Sequence, residues 1–490
     1  MLEFISSGVY NQNNYVIIYL ISERGYKNMG LATFKGGVHP YEGKELSEKC
    51  AIQTLPEFDG EYIFPMVQGL GAPSKPIVAV GDHVLAGQMI AEPGGFISAA
   101  VTSSVSGTVK AIEQRLITMG MLAQSIVIES DGEFKTVEGV GEERDYTKLS
   151  KDEIRGIVKN AGIIGMGGAG FPTHVKLAPK NDDAIDFVIA NGSECEPMLT
   201  NDHRLMLEEP ERIIGGIKVC LQLFPNAKGI IAIEENKPDA IAVMEKLVAN
   251  EERISVTRMK TKYPEGGERQ LIFACTGRSI NSAVLPADAG CVVDNVATLA
   301  AIYDAVAKST PIMQKVITIS GDAVAKPANV KVRLGVTYGR IAEAVGGFKT
   351  EPAKIICGGP MMGMALFSTD VPVVKNSAAL LAFQHDEVAE SEAIQTHCIR
   401  CGRCIDACPI FLTPVLMAKA VEARDWAKLE ELNGAECIEC GSCSYICPAK
   451  RPLTQYFKQG RREVNGLRRA RQAAEAAKKA EAEKAAAEKK

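Results

Sequence analysis

The sequence predicts a multidomain protein of mixed α/β and β structure, and three observations support this class. The first third of the chain consists of short apolar pieces separated by glycine and proline, which is typical of strands joined by tight turns. The middle of the chain alternates apolar strand-like runs with helical stretches, as in α/β domains with a parallel sheet. Eight of the 14 cysteines are crowded between His397 and Pro448, which favours a metal-binding domain over a disulfide framework.

Size and composition restrict the class of protein. The 490 residues suffice for about three domains. The 46% hydrophobic and 23% charged residues are ordinary for a globular protein. The net charge of −5 argues against a nucleic-acid partner. No apolar run approaches the ~18 residues of a membrane span, and the N-terminus lacks a signal-peptide pattern. We therefore expect a soluble or peripheral cytoplasmic protein with no transmembrane segment of its own.

The first two segments are predicted to be an extension and a β-rich domain. Residues 1–28 are polar and poorly patterned, so we expect an N-terminal extension ahead of Met29. Within residues 29–145, "VAVGDHVLAGQMIAE" and "SSVSGTVKAIE" resemble the two halves of the barrel-sandwich hybrid of biotinyl and lipoyl carriers. Those carriers present a lysine at a hairpin tip, whereas Met89 to Ser106 contains none. We therefore expect a structural domain without a swinging arm.

The next segments are predicted to be an α/β domain and a β-grasp module. In residues 146–312, Ser150 and Glu153 form a capping-box pattern at the start of "SKDEIRGIVKNAG". The runs "DFVIANG" and "KGIIAIEE" are typical of buried parallel strands, and "PDAIAVMEKLVAN" of the following helix. Residues 313–366 show the order strand, strand, helix, strand of a β-grasp module, and residues 367–390 are predicted to be a connector.

The C-terminal part is predicted to bind two iron–sulfur clusters. Within residues 391–460, the spacing C-x2-C-x2-C-x3-C-P occurs twice, with a helical linker between the copies. Three thiolates spaced in this way hold one cluster, and the fourth ligates the other cluster in two-cluster ferredoxins. One [4Fe–4S] cluster is therefore assigned to Cys398, Cys401, Cys404 and Cys447, and the second to Cys437, Cys440, Cys443 and Cys408. A pair of zinc sites also uses C-x2-C pairs, but it explains neither the third cysteine nor the trailing Cys-Pro.

The segments next to the cysteines have helical patterns. The linker "LTPVLMAKAVEARDWAKLEELNGA" is long and helical, which resembles the helical ferredoxin domains of larger reductases. Residues 461–490 form an Ala/Lys/Glu tail without an apolar stripe. A solvated helix or disorder is therefore expected in the tail.

The glycine-rich stretch "GIIGMGGAGFPTHVKL" contains Gly165-x-Gly167-x-x-Gly170. A Rossmann fingerprint requires a strand that leads into the first glycine, but here a predicted helix comes first. No acidic residue lies plainly at a strand end about twenty positions later. On pattern alone, the stretch either cradles a phosphate or only forms a turn.

Four ordered stretches resemble the FMN-bearing NADH dehydrogenase subunit of respiratory complex I. They are "GMGGAGFPTHVK", "NGSECEP", "YPEGGERQL" and "VDNVATL". The resemblance implies FMN and NAD(H) as ligands, and Ser193 and Gly267 depart from the family's usual acidic residues. The implied cofactor-binding residues are Gly165, Gly167, Gly168, Ala169, Gly170, Phe171, Lys176, Asn191, Glu194, Glu196, Tyr263, Gly266, Glu268, Asn295 and Thr298.

The resemblance also implies individual roles for these residues. Lys176, Asn295 and Thr298 correspond to groups around the flavin phosphate. Asn191, Glu194 and Glu268 correspond to polar residues around the flavin ring and ribityl chain. Phe171 and Glu196 correspond to contacts with the dinucleotide. No catalytic side chain is assigned, since the cofactors carry the chemistry.

The order of all these parts resembles the C subunit of Rnf ion-translocating oxidoreductases over nearly the full chain. This resemblance implies a peripheral subunit at the cytoplasmic face of the membrane. Such a subunit passes electrons between NAD(H), FMN and two [4Fe–4S] clusters, and this transfer is coupled to Na⁺ or H⁺ transport. Its implied partners are NADH, an iron–sulfur B-type subunit and integral membrane subunits, with no nucleic acid.

Two alternatives stay open, and the cysteines argue against a third. A cobalamin reductase of bacterial microcompartments shares the flavin-like and ferredoxin parts but lacks the preceding hybrid domain. The related subunit of the sodium-pumping quinone reductase is disfavoured by the eight cluster cysteines. A non-enzymatic iron–sulfur scaffold would hold the clusters without a flavin.

Overall fold

The computed structural model describes residues 31–487. The predicted extension 1–28 therefore lies outside the described residues. The described part confirms the mixed α/β and β class, with four sheets and fourteen helices of α type. None of these helices combines the length and apolar character needed to cross a membrane.

The β-rich segment contains two small sheets that pack on a common core. One sheet has the order β2-β8-β7-β4 and the other β3-β5-β6, and all described pairings in them are antiparallel. Their strands are β2 (Glu61–Pro65), β3 (Lys75–Pro76), β4 (His83–Val84), β5 (Met89–Glu92), β6 (Val101–Thr102), β7 (Gly107–Leu116) and β8 (Leu122–Ser130). Short strands with glycine turns agree with the hybrid pattern of the sequence.

The α/β segment contains a parallel sheet of order β11-β10-β9-β12. Its strands are β9 (Phe187–Asn191), β10 (Lys228–Glu234), β11 (Ile254–Met259) and β12 (Cys291–Asn295). Its helices are α1 (Lys151–Asn160), α2 (Thr173–Lys176), α3 (Asn201–Glu208), α4 (Pro210–Leu223), α5 (Pro238–Leu247), α6 (Glu268–Thr276) and α7 (Val296–Ala307). The predicted capping box of α1 is confirmed, with reciprocal hydrogen bonds between Ser150 and Glu153.

The β-grasp segment forms a sheet of order β1-β14-β13-β17-β15-β16. The predicted strands and helix are confirmed as β13 (Gln314–Ser320), β14 (Ala328–Arg333), α8 (Tyr338–Ala344) and β15 (Lys354–Cys357). Three strands join them: β1 (Ile52–Thr54), β16 (Met364–Leu366) and β17 (Ala379–Phe383).

The sheet extends beyond the predicted end of this module at residue 366. β17 lies inside the predicted connector, yet it pairs with both β13 and β15 in the middle of the sheet. β1 comes from the predicted hybrid domain and pairs with β14 at the edge. Both strands are short and pair with residues distant in the chain, which local sequence patterns do not encode.

The C-terminal segment is helical. Its helices are α9 (Glu387–Glu392), α10 (Arg403–Asp406), α11 (Pro414–Glu422), α12 (Trp426–Glu431), α13 (Ser442–Tyr445) and α14 (Leu453–Ala487). α11 and α12 confirm the predicted helical linker. α14 packs through Leu453, Phe457 and Val464 onto the core of this segment. Within the described residues, the predicted tail continues this helix to Ala487, and a helix is one of its two expected states.

Candidate functional site

The glycine-rich stretch forms a loop between α1 and α2. Gly165 N donates to Phe171 O at 2.9 Å, and Ile164 forms a bridge with Pro172. A helix and not a strand leads into the loop, as the sequence predicts. The geometry therefore differs from a Rossmann turn, in which a strand enters the first glycine.

Two glycines permit close approach of the loop to its neighbours. A Cβ atom on Gly167 would lie 2.7 Å from Asn295 Nδ2, so the backbone there contacts the start of α7 directly. Gly170 has φ +70°, and a Cβ atom there would lie 2.8 Å from the Cα of Gly69. By contrast, a Cβ atom on Gly168 would meet nothing within 4 Å. The loop thus presents exposed backbone at Gly168 while both sides are packed.

Two side chains hold the middle of the loop by its backbone. The hydroxyl of Thr298 accepts a hydrogen bond from Met166 N at 2.9 Å. Lys315 Nζ donates to Met166 O at 2.8 Å. Thr298 and Lys315 are buried, and burial lowers the pKa of Lys315 to about 8. Both the backbone N–H and the backbone carbonyl of Met166 are therefore hydrogen-bonded to buried side chains.

A second buried lysine holds the beginning of the loop. Lys375 Nζ donates to Gly162 O at 2.8 Å and to Ala100 O at 2.5 Å. Lys375 is 1% exposed, and its burial lowers its pKa to about 7. This side chain joins the hybrid domain, the glycine loop and the β-grasp segment.

The start of α7 faces the glycine loop. The Asn295 side chain caps the helix by accepting from Ala297 N at 2.9 Å, and its Nδ2 donates to Asp202 Oδ2 at 2.6 Å. Asn295 is also the register partner of Asn191, so the carboxyl ends of β12 and β9 lie side by side. The carboxyl edge of a parallel sheet beside a helix N-terminus suits a phosphate-bearing ligand.

Lys176 lies at the same edge among acidic groups. Its Nζ donates to Val293 O at 2.7 Å and to Glu268 Oε1 at 3.2 Å, and lies 3.8 Å from Asp294 Oδ1. Asp294 is fully buried, and neither carboxylate oxygen has a hydrogen-bond partner. Burial outweighs the nearby ammonium and raises the pKa of Asp294 to about 6.

Asn191 and Gly266 form a second part of this region. Asn191 Nδ2 donates to Gly266 O at 2.8 Å, and Asn191 Oδ1 accepts from Ser193 N at 3.2 Å. The buried Ser193 hydroxyl has no hydrogen-bond partner. Gly266 N donates to Cys195 Sγ at 3.3 Å. The orphaned oxygens of Ser193 and Asp294 supply polar groups that a flavin could satisfy.

Glu194 makes its contacts at the start of α3. Its carboxylate accepts from Asp202 N at 2.7 Å and lies 3.8 Å from Lys44 Nζ. Burial raises the pKa of Glu194 to about 7. Both side-chain oxygens are thus engaged by α3 and Lys44, and a flavin contact of Glu194 stays a prediction.

Glu196 and Tyr263 contact other segments of the chain. The Glu196 carboxylate accepts from Met361 N at 3.0 Å and Met362 N at 2.9 Å, and burial raises its pKa to about 7. The Tyr263 hydroxyl donates to Cys440 O at 2.7 Å. The dinucleotide and flavin contacts implied for these two side chains stay predictions.

The structure thus brings most of the implied cofactor-binding residues together, whereas Glu194, Glu196 and Tyr263 contact other segments of the chain. The glycine loop, Lys176, Asn191, Gly266, Glu268, Asn295 and Thr298 lie around the carboxyl ends of β9 and β12. Sequence reasoning missed Asp294, Lys315 and Lys375. Asp294 stands inside the quoted stretch "VDNVATL" and could have been identified there, whereas nothing local marks the two lysines.

The eight clustered cysteines form two sets of four. We call Cys408, Cys437, Cys440 and Cys443 the inner thiol set; they line one cavity together with Met417 and Phe457. We call Cys398, Cys401, Cys404 and Cys447 the outer thiol set. In this set, the thiols of Cys398, Cys401 and Cys447 lie near the thiol of Cys404. The two sets match the ligand assignment made from the spacing, which as an assignment of ligands stays a prediction.

Each thiol set includes a peptide loop that repeats the same geometry. Arg400 and Glu439 have φ +56° and +58°, and Gly402 and Gly441 have φ +80° and +82°. Arg400 N and Glu439 N lie 3.4 Å from Cys398 Sγ and Cys437 Sγ, in positions to donate to thiolates.

This arrangement suits clusters better than single metal ions. The four thiols of the inner set line one cavity. A zinc site requires its ligands within about 2.3 Å of one point. Thiols spread around a cavity fit the larger cubane of a [4Fe–4S] cluster.

Four family models match the chain in order. The RnfC barrel sandwich hybrid domain matches residues 32–133. The Nuo51 FMN-binding domain matches residues 158–304. The SLBB domain matches residues 316–365, and the 4Fe-4S dicluster domain matches residues 391–448. The chain thus carries an FMN-binding domain and a domain for two [4Fe–4S] clusters.

Curated relatives resemble nearly the whole chain. The C subunit of the Na(+)-translocating ferredoxin:NAD(+) oxidoreductase complex of Acetobacterium woodii is 43% identical over 90% of this chain and 99% of its own length. The C subunit of the proton-translocating ferredoxin:NAD(+) oxidoreductase complex of Clostridium ljungdahlii is 43% identical over 87% of this chain and 93% of its own. The C subunit of the ion-translocating oxidoreductase complex of Rhodobacter capsulatus is 38% identical over 87% and 82%, respectively.

Proposed function

Since the chain belongs to the C-subunit family of Rnf ion-translocating oxidoreductases, we propose that it passes electrons between NAD(H) and the other subunits of such a complex. The observation that carries this proposal is that the candidate flavin site and the inner thiol set lie in one folded unit. The glycine-loop site lies at the edge of the parallel sheet, and the inner thiol set packs against the same domain through Tyr263.

The residues gathered at the sheet edge would hold FMN. FMN, when bound, exchanges a hydride with a nicotinamide and single electrons with iron–sulfur clusters. The backbone at Gly168 and the N-terminus of α7 would bind its phosphate, with Lys176 supplying a positive charge. Asn191 and Glu268 would orient the flavin through hydrogen bonds.

The dinucleotide would bind on the open side of the glycine loop. Phe171 follows Gly170 on the same loop and is only partly buried. Phe171 would stack on the dinucleotide. Glu196 would have to leave Met361 and Met362 in order to reach a ribose, so its role depends on a rearrangement of that turn.

The two thiol sets would face different neighbours. The inner set lies against the flavin domain: the carbonyl of Cys440 accepts from Tyr263, and Gln270 of α6 donates to Pro409 O at 3.2 Å. In the outer set, Cys398 and Cys401 are exposed. We therefore assign the inner set to the flavin side and the outer set to a partner subunit.

The predicted domain boundaries and cellular location form part of this proposal. The chain would dock at the cytoplasmic face of the membrane, on an iron–sulfur B-type subunit and integral membrane subunits. The relatives named for Na⁺ and for protons are both 43% identical to this chain. The coupling ion would accordingly be selected by other subunits.

Anaerobic reconstitution of the full chain with iron, sulfide and FMN tests the proposal. After addition of NADH, we expect bleaching of the flavin absorbance and the appearance of reduced-cluster EPR signals. Clusters that assemble without flavin binding would favour the scaffold alternative. Flavin that bleaches while both clusters stay oxidised would contradict the transfer between the two sites.

A further inference from the structure

We propose that Tyr263 and residues 36–38 are positioning residues for the cluster held by the inner thiol set. This inference rests on the proposed function, because it concerns a cofactor that the function requires. It moves Tyr263 from the flavin, where the resemblance places it, to the junction between two domains. The contacts around Cys408 and Cys440 support this assignment.

The first contact is the hydroxyl of Tyr263. This tyrosine is 1% exposed, and its hydroxyl donates to Cys440 O at 2.7 Å. The Glu196 carboxylate lies 3.5 Å from the same hydroxyl, too far for a second strong hydrogen bond. The phenol therefore directs its single proton to the backbone of a cluster ligand.

The second set of contacts comes from residues 36–38, more than 220 positions earlier in the chain than Tyr263. Val38 and Tyr263 exchange two backbone hydrogen bonds, of 2.8 and 2.9 Å. Gly37 N donates to Ala407 O at 2.9 Å. A Cβ atom on Gly36 would lie 2.7 Å from Cys408 O, so only glycine permits this approach. Residues 36–38 thus link Tyr263 to the loop that carries Cys408.

The third contact comes from the β-grasp segment. A Cβ atom on Gly441 would lie 3.0 Å from Met361 O, directly after the ligand Cys440. Met361 N is in turn held by Glu196. Val38, Tyr263, Ala407 and Cys440 form one apolar cluster, against which Met361 packs. Three distant parts of the chain therefore converge on the inner thiol set.

The outer thiol set has no such support. Cys398 and Cys401 are exposed. Within the described part of the chain, no hydrogen bond from outside residues 391–460 reaches a cysteine of the outer set. The contrast indicates that the flavin domain specifically positions the inner set.

The hydroxyl also has an electrostatic consequence. The hydroxyl donates to the carbonyl of Cys440 and not to a sulfur, so it acts on the cluster through the position of this ligand and through the positive end of its O–H dipole, which points toward the ligand's backbone. Reduction adds negative charge to the cluster, so the hydroxyl stabilises the reduced form. Loss of the hydroxyl should lower the midpoint potential of the inner cluster and leave that of the outer cluster unchanged.

The test compares Tyr263→Phe with Tyr41→Phe in the reconstituted full chain. Tyr41 is 71% exposed, so its variant controls for loss of a hydroxyl. Dithionite titration followed by EPR measures each cluster without NADH, and Cys401→Ala identifies the inner signal. We expect a lower midpoint for the inner cluster in Tyr263→Phe alone, with unchanged flavin content.

An unchanged inner midpoint in Tyr263→Phe would overturn the inference. If the same variant also lost its flavin, Tyr263 would return to the flavin site. A wild-type chain that NADH fails to reduce would count only against the proposed function, since the titration uses dithionite.

A second variant covers the case in which Tyr263→Phe does not fold. Gly36→Ala pushes a methyl group toward Cys408 O while Tyr263 stays in place. We expect a changed EPR line shape for the inner cluster and an unchanged outer signal. An inner signal identical to that of the wild type would remove residues 36–38 from any positioning role.

Discussion

Gly168 is the residue at which the glycine loop leaves its backbone open, and the variant Gly168→Glu tests that opening. Because no atom lies within 4 Å of a Cβ there, the glutamate should leave the fold intact. Its negative charge would repel a phosphate, so we expect loss of at least about 90% of bound FMN with both clusters retained.

The matched control is Gly466→Glu. It makes the same change at a glycine of α14 that also has nothing within 4 Å. Flavin content is measured from absorbance after gel filtration. Normal flavin content in Gly168→Glu would remove the loop from the flavin site.

Asp294 is a buried carboxyl group whose titration should be visible in the stability of the chain. Its folded pKa of about 6 lies above the ordinary value of 3.8, so the folded state holds its proton more tightly than the unfolded state. The resulting stabilisation is full below about pH 4 and is lost as pH rises through about 6. The difference of about two between the folded and the ordinary pKa corresponds to about 2–3 kcal/mol of folding free energy.

The variant Asp294→Asn cannot titrate at this position. In the flavin-free chain, the wild type should therefore lose more thermal stability between pH 4.5 and 7.5 than Asp294→Asn does. Thermal melts across this range measure the difference. Parallel pH profiles for the two proteins would show that Lys176 already compensates the charge of Asp294.

At the scale of one element, α14 packs on the core through residues in its first half, whereas residues 469–478 are exposed. Its buried residues Leu453, Phe457 and Val464 recur at helical spacing and face the core next to the inner thiol set. Farther along, Arg468 and Arg471 pair with Glu430 on the surface. The described residues of α14 that pack on the core therefore all lie in the first half of the helix.

Truncation of the chain after Gln472 should therefore preserve both clusters and the flavin. Phe457→Ala should instead destabilise the helical domain by about 3–5 kcal/mol, because it removes a buried aromatic ring. Iron content and the thermal unfolding temperature measure both effects. Cluster loss in the truncated chain would show that the residues after Gln472 support the domain.

At the scale of the whole molecule, the outer thiol set and the glycine-loop site lie in different domains. Cys401 belongs to the outer set on the surface, whereas Lys176 and Asn295 lie at the edge of the parallel sheet. Cys401→Ala should therefore lose one cluster, about half of the bound iron, and keep flavin binding. Iron analysis and flavin absorbance on the same sample measure both.

Cys50→Ala is the matched control, since Cys50 lies far from both thiol sets in the chain and contacts the carbonyl of Pro327. It should keep all iron and flavin. If Cys401→Ala lost both cofactors together, the domains would depend on one another for folding.

The features that sequence reasoning recovered depend on residues close together in the chain. The capping box of α1 needs only Ser150 and Glu153, three positions apart. The strands β9 and β10 are visible as apolar runs. The cluster motifs depend on cysteines three or four positions apart, and this spacing restricts the first three of each motif to one face of a cubane. Short-range spacing carries this information because local backbone geometry fixes where such side chains can point.

The remaining features required the folded chain. β17 and β1 enter the β-grasp sheet through pairings with distant strands, and Lys375 joins three segments through a buried ammonium group. Glu196 and Tyr263 lie within motifs that resemble a flavin site, yet they contact Met361 and Cys440. Such contacts depend on which segments packing brings together, and packing is a property of the whole chain that no short stretch encodes.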